Sequence, residues 1–288
     1  MKITELIRKK KQLLSFEFFP PKKVENDHIL FETIDDLKGF SPDFVSITYG
    51  AGGSTKDKTI SWTVKLQKDY KIETMMHLTC ITSEENEIKL ILDELYTNGV
   101  ENILALRGDY PKDGVDYKIS TEFKFASDLV RAINIDGRFC IGVAGYPEGH
   151  IEASDIYSDI DNLKRKLDAG GSFIITQLFF DNRYFYNYLE LLHKKGINVP
   201  VFAGIMPITS FSQVERFKKM CGVDIPDNLI NLLSDKSEDD TFKIGVDYAI
   251  SQCEDLLKNN VSGLHFYTLN RSDATKIILN SLGHFNCE

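Results

Sequence analysis

The sequence predicts an α/β protein: a single eight-stranded parallel (β/α)8 barrel of the TIM type, one domain over 1–288, with extra helices before the last strand. Three observations lead there. Eight short apolar runs recur, at 15–20, 44–49, 74–80, 102–109, 140–147, 172–180, 201–208 and 263–270. Each is followed by a stretch of helical periodicity, and the runs are apolar nearly throughout, as strands buried on both faces must be. An open doubly wound sheet usually carries a glycine fingerprint after its first strand, and SFEFFPPK follows no such pattern.

The elements follow in order. MKITELIRKKKQLL, with Glu5 and five basic residues, reads as a short amphipathic helix and not a signal peptide. After the first strand, Ile29, Ile34 and Leu37 fall at helical spacing and Gly39 stops the helix. KDKTISWTVKLQKDY supplies the second helix. After the third strand Ser83, with Asn86 and Glu87 nearby, marks a capped start, and Ile88, Ile91, Leu92 and Leu95 form the apolar stripe. After the fifth, Ile156, Ile160, Leu163 and Leu167 share a face that Gly170 closes. More than fifty residues separate the seventh and eighth runs. They predict two or three helices, with the acidic SDKSEDD as a solvated turn.

Composition narrows the function. A net charge of −9 argues against a nucleic-acid surface. No apolar run is long enough to span a bilayer. Five cysteines, an odd number without a CxxC, suit a reduced, cytoplasmic protein. The six histidines include no HExxH pair and no Cys/His cluster, which argues against a metal site. No GxSxG or Cys/His nucleophile pattern is present, which argues against acyl transfer.

In a barrel the strand ends form the site, so Glu17, Thr48, His77, Asp109, Tyr146, Gln177 and Arg271 are expected to face one mouth. Glu17 lies among Phe16, Phe18 and Phe19. A carboxyl there is either a general acid, its pKa raised by burial, or a structural partner of a barrel cation. Arg107, Gly108 and Asp109 end the fourth run, where the aspartate either binds a ligand or caps a turn. GAGGST at 50–55 is either a phosphate cradle or a plain turn. Lys164, Arg165 and Lys166 are either helix-end cations or an anion site. His77 and His150 lie close enough to strand ends to bond a ligand.

The motifs SFEFFPPK, FVSITYGAGGST, HLTC, LRGD, GYPEGH, NLKRKLDAG, TQLFFD, GIMPI and HFYTLNR, in this order over nearly the whole chain, resemble the 5,10-methylenetetrahydrofolate reductase family, in its compact bacterial form. The resemblance implies an FAD-dependent enzyme of one-carbon metabolism. It would reduce 5,10-methylenetetrahydrofolate to 5-methyltetrahydrofolate with NADH or NADPH, by ping-pong hydride transfer through the flavin, and feed methionine synthesis. It implies Glu17 as general acid and Asp109 as the acidic residue beside flavin and pterin. The FAD positions it carries over are Thr48, Tyr49, Ala51, His77, Arg107, Gly108, Asp109, Ala126, Tyr146, His150, Ala153, Asp159, Asn162, Arg165 and Lys166. Substrate contacts would be Asp109, Gln177, Gln213, Phe217 and Arg271. A homo-oligomer is expected. Two other readings stay open: a flavoprotein subunit of a larger complex fed by a protein electron donor, and a folate-binding barrel that transfers a one-carbon group without redox.

Overall fold

Eight strands pair in chain order, all parallel: β1 (Leu13–Phe18), β2 (Phe44–Ile47), β3 (Thr74–Thr79), β4 (Asn102–Leu106), β5 (Cys140–Gly145), β6 (Phe173–Thr176), β7 (Val201–Ile205) and β8 (Gly263–Tyr267). β8 closes onto β1, with Glu17 in register with Tyr267 on one side and Ser46 on the other. The computed structural model describes residues 1–21, 24–49, 56–110 and 119–283. Eleven helices accompany the strands among them: α1 (Ile3–Lys9), α2 (Asp27–Leu37), α3 (Lys56–Lys65), α4 (Glu85–Thr97), α5 (Ala126–Asp136), α6 (Ile156–Asp168), α7 (Asn182–Lys194), α8 (Ser212–Cys221), α9 (Asp227–Leu233), α10 (Glu238–Lys258) and α11 (Asp273–Ser281).

The two-residue period of each strand divides the core. Leu14, Phe16 and Phe18 point outward and pack in the main core with the helical stripes, such as Ile88, Ile91, Leu92 and Leu95 of α4. Leu13, Ser15 and Glu17 therefore point inward. Inside the barrel, Leu13, Phe44, Met75, Phe173 and Phe202 form a separate core. Phe44 meets Phe202 edge-to-face at 5.7 Å between strands that are not neighbours. The first helix seals this end: Ile3 is fully buried against the same cluster, a contribution of roughly 1.5–3 kcal/mol. Room for the rings comes from glycine. A side chain at Gly142 would collide with the Phe173 ring, and one at Gly204 with Tyr267.

A third core lies beside the barrel, where Phe180, Met206, Val214, Phe217, Leu229 and Leu233 pack together. This is the long insertion before β8, folded as α8, α9 and α10.

Three local expectations change. In α2 the inward stripe runs through Leu30, Thr33, Ile34 and Leu37, while Ile29 lies one position away and is 41% exposed. In α4 the N-cap position is Glu84, whose side chain does not cap the helix. Ser83 is buried and donates to the Thr79 carbonyl, and Glu122 accepts from the Glu85 N–H at 2.8 Å. The acidic SDKSEDD is only partly a turn, since Glu238, Asp239 and Asp240 form the first turn of α10, where the helix dipole favours carboxylates.

Candidate functional site at the C-terminal mouth

One side of the mouth is an acid corner built by β1, β3 and β8. Glu17 is the second-to-last residue of β1, with its side chain 19% exposed. Two histidine rings face its Oε2: His77 Nε2 at 3.4 Å and His265 Nε2 at 3.6 Å. Both nitrogens are buried without a hydrogen-bond partner among the described residues. Burial holds His77 down to about 4, against the pull of Glu17, so its imidazole is neutral at neutral pH. His265 is held from behind, its Nδ1 2.8 Å from the Ser15 hydroxyl. That hydroxyl has one proton. Donated to the Leu264 carbonyl at 3.3 Å, it leaves the oxygen to accept from Nδ1–H, with Nε2 toward Glu17. The corner is braced from β8: Thr268 donates its hydroxyl proton to the Glu17 carbonyl at 2.6 Å, and the Asn270 amide bonds both polar backbone groups of Phe19. Such an arrangement can hold a proton beside a ligand and keep water from levelling it.

The other side is a cavity of about 270 Å³ between the ends of β4 and β5 and the helices α5 and α6. Nine of the fifteen cofactor positions named from the sequence line it: Arg107, Ala126, Tyr146, His150, Ala153, Asp159, Asn162, Arg165 and Lys166. The ammonium of Lys166 is buried in the wall, donates to the Ala144 carbonyl at 2.6 Å and stands over the Tyr146 ring. Burial brings it down to about 8, while Asp159 pulls the other way. Asp159 is itself pushed up by its burial. Arg165 and Asn162 are joined at 3.2 Å on the exposed rim. Lys164, by contrast, turns outward and pairs with Asp168 at 2.8 Å, so only two of the three consecutive cations serve the cavity. Tyr146 and His150 meet edge-to-face at 4.6 Å, and burial lifts the Tyr146 hydroxyl to about 12. His150 Nδ1 accepts from the Glu152 N–H, and Arg107 grips the Glu152 carboxylate with both Nη groups, at 2.6 and 2.8 Å.

The remaining positions distribute around these two features. Thr48 and Tyr49 follow β2, where the Thr48 N–H donates to the Phe18 carbonyl. Gly108 has φ +87°, and a Cβ there would press on Thr79 at 3.0 Å, so the turn that delivers Asp109 needs glycine. Asp109 is exposed and close enough to act electrostatically on both Arg107 and Tyr146. Gln177 follows β6, and its side-chain oxygen accepts from the Leu178 N–H. Arg271 stands exposed beyond β8. Ala51 and the GAGGST turn lie outside the described residues. Gln213 and Phe217 are committed internally. The Gln213 side-chain oxygen accepts from the N–H groups of Thr209 and Ser210, which organises the turn into α8. The Phe217 ring is 4% exposed and stacks on Phe180. In this arrangement neither the Gln213 oxygen nor the Phe217 ring is offered to the mouth.

Sequence reasoning passed over His265, Ser15, Glu148 and Glu152. A parity argument could have found the first two. In GLHFYT, His265 shares the inward face with Tyr267, and Ser15 shares it with Glu17. Nothing local marks the two glutamates.

A closed parallel barrel with its polar and titratable groups gathered at the C-terminal ends of its strands defines a barrel of the enzyme class. The family model for methylenetetrahydrofolate reductase matches residues 2–283. This chain belongs to the methylenetetrahydrofolate reductase family. The Escherichia coli 5,10-methylenetetrahydrofolate reductase is 37% identical over 94% of this chain and 90% of its own length. Methylenetetrahydrofolate reductase (NADH) 1 of Arabidopsis thaliana is 39% identical over 98% of this chain, which spans only 50% of that plant protein. Among solved structures, a Clostridium thermocellum protein described as binding two copies of 5-methyl-5,6,7,8-tetrahydrofolic acid superposes with a TM-score of 0.66 at 16% identity, covering 97% of this chain and 96% of its own. At that identity the likeness concerns the fold. No helix among the described residues is long and apolar enough to cross a membrane.

Proposed function

We propose that this chain reduces 5,10-methylenetetrahydrofolate to 5-methyltetrahydrofolate, with FAD as resident cofactor and NADH or NADPH as reductant, and so feeds methionine synthesis. Family membership supports the reaction. The printed name of the plant relative favours NADH. The observation that carries the cofactor is the cavity lined by nine of the positions expected to hold FAD. Its residues fit the group. Lys166 and Arg165 offer cations to a diphosphate, Asn162 offers an amide, and Ala126 and Ala153 leave space where longer side chains would intrude. Bound FAD supplies the hydride chemistry, and the protein supplies position and electrostatics.

The rest is the chain's own work. Glu17 is the acid that gives a proton to the five-membered ring of the folate, opening that ring to hydride. The neutral His77 and the His265 ring flank that carboxyl on either side. Asp109, at the rim beside Arg107 and Tyr146, balances positive charge that develops on the folate. Gln177 would contact the pterin and Arg271 an anionic tail or the nicotinamide cofactor. Nicotinamide and folate occupy the mouth in turn, which makes the cycle ping-pong. The protein works in the cytoplasm as a homo-oligomer.

The test is a pair of half-reactions. The purified protein binds FAD, NADH bleaches it under anaerobic conditions, and methylenetetrahydrofolate restores the colour. A protein that ignores FAD removes the reading. A yellow protein that resists both nicotinamides but takes electrons from dithionite and passes them to folate replaces it with the subunit reading.

A further inference from the structure

We propose that Glu148 is a positioning residue that ties the wall of the cofactor cavity to α8, the helix carrying Gln213 and Phe217, and that this tie loosens as its carboxyl becomes charged. The role of the two regions rests on the function proposed above; the tie itself does not.

Glu148 sits in the tight turn between Tyr146 and His150, closed by Gly149 at φ +88° with its N–H on the Tyr146 carbonyl. Both flanking residues line the cavity. The carboxyl points away from the cavity and accepts the Asp224 N–H on Oε2 at 2.7 Å. Asp224 follows α8 by three residues. A second contact runs beside the first, where Ile151 lies against Gly222, the left-handed residue that ends α8. The other end of α8 is fixed by the Gln213 oxygen on Thr209 and Ser210. The helix thus runs from the turn after β7 to the turn beside the cavity wall, and Glu148 holds the far end.

The tie is sensitive to charge. Glu148 Oε1 is buried and has no hydrogen-bond partner among the described residues. The groups facing the carboxyl are Asp224, on the connection after α8, and Asp181 and Tyr184 at the start of α7. Arg183 is already paired with Asp181, and the Tyr184 hydroxyl donates to Asp224 at 3.2 Å. Burial and the two aspartates push Glu148 up to about 7, against the pull of the Asp224 N–H. A neutral carboxyl accepts that N–H without repulsion. A carboxylate there faces two others in a half-buried place. The folded-state value is raised, so the stabilisation is complete below the unfolded value and is lost as pH rises through about 7.

Hydrogen exchange of residues 209–226, corrected for intrinsic rates, reads the tie whether or not any cofactor binds. In the unaltered protein, protection of this segment falls roughly tenfold between pH 6 and pH 8, as linkage through that value requires. Glu148→Gln keeps an acceptor for the Asp224 N–H and cannot ionise, so protection stays flat across the range. Glu148→Ala removes the acceptor and exchanges roughly tenfold faster than Glu148→Gln at both pH values, the worth of one hydrogen bond. In turnover, the KM for folate of the unaltered enzyme rises with pH and that of Glu148→Gln does not. The proposal is overturned if the glutamine variant keeps the original pH dependence, or if a folded alanine variant exchanges no faster in this segment. A protein that shows the exchange pattern but no FAD binding would retain the tie and lose only the function proposed for the mouth.

Discussion

On one side of the mouth, a carboxyl faces two histidine nitrogens that have no hydrogen-bond partner among the described residues, in a corner built by strands. On the other, an ammonium is sunk into a cavity wall whose rim is open to water through Arg165 and Asn162. Each side holds a titratable group away from its solution behaviour by burial. His77 is driven down to about 4 and Lys166 down to about 8. The consequences differ. In the corner, burial removes the charge of His77, and under the proposed function Glu17 is the group that moves a proton. In the wall, burial concentrates a charge that an anion can use, because Asp159 and the Ala144 carbonyl keep the ammonium partly satisfied until a ligand arrives. Under the proposed function one region serves proton transfer and the other anchoring, so each should fail in its own assay.

The largest separation is expected at Glu17. Glu17→Gln should slow folate reduction by about 10²–10⁴-fold, the usual worth of a positioned acid. Bleaching by NADH and FAD affinity should stay as they were. Stopped-flow measurement of the two half-reactions checks this; equal losses in both would mean that corner and wall are one unit. The converse experiment is Lys166→Ala. It should weaken FAD binding roughly tenfold to a hundredfold, as loss of a charged hydrogen bond does, and leave folate reduction by fully loaded enzyme little changed. Fluorescence titration of apoprotein gives the affinity. It also gives a pH signature. The ammonium loses its proton as pH rises through about 8, so affinity should fall above that value in the unaltered protein and not in Lys166→Arg.

How far these regions could be read beforehand follows from how locally each is encoded. Strands and helices were legible because burial on two faces demands continuous apolar runs, and burial on one demands a stripe. Glu17 was legible because a charge among phenylalanines stands out. His265 was not, since a histidine beside an aromatic looks like core until β8 is paired with β1 and its inward face is known. The Ile29 and Ser83 expectations failed for a related reason. A helix can rotate by one residue, and a cap can be replaced by a distant carboxylate such as Glu122, without any change in the local pattern. Gln213 and Phe217 came only from resemblance, and their side chains are engaged in a turn and in the third core. Lys166 and Lys164 looked equivalent in sequence; helical rotation sends one into the cavity and the other to solvent.

A middle-sized effect concerns stability and bears on the corner alone. The folded-state value of His77 is depressed, so its stabilisation is complete above the unfolded value near 6.5 and is lost as pH falls toward about 4. Between pH 7 and pH 5 this group should lower stability by about 2 kcal/mol. Glu148 works in the opposite direction over much of that range, being raised where His77 is lowered. Urea midpoints at the two pH values, in Glu148→Gln and in Glu148→Gln with His77→Asn added, isolate the term. An unchanged pH difference on removing the imidazole would mean that the corner is wetter than its burial implies.

The smallest effect makes the sharpest contrast. Lys164 and Lys166 are two residues apart on α6 and carry the same charge, Lys166 in the last turn and Lys164 just before it. If the wall held its ligand through general positive charge, removing either would weaken binding by similar amounts. The geometry says otherwise, because the Lys164 ammonium is turned to solvent and pairs with Asp168, 43% and 63% exposed respectively. Exposed pairs one turn apart contribute about 0.3–0.5 kcal/mol, and long-range attraction from such a position is screened at ordinary ionic strength. Lys164→Ala should therefore shift the urea midpoint by no more than that and leave FAD affinity within about twofold, a difference comparable to the screened contribution of one surface charge. A loss of affinity matching that of Lys166→Ala would show that the wall binds by its field as a whole and not by the buried ammonium.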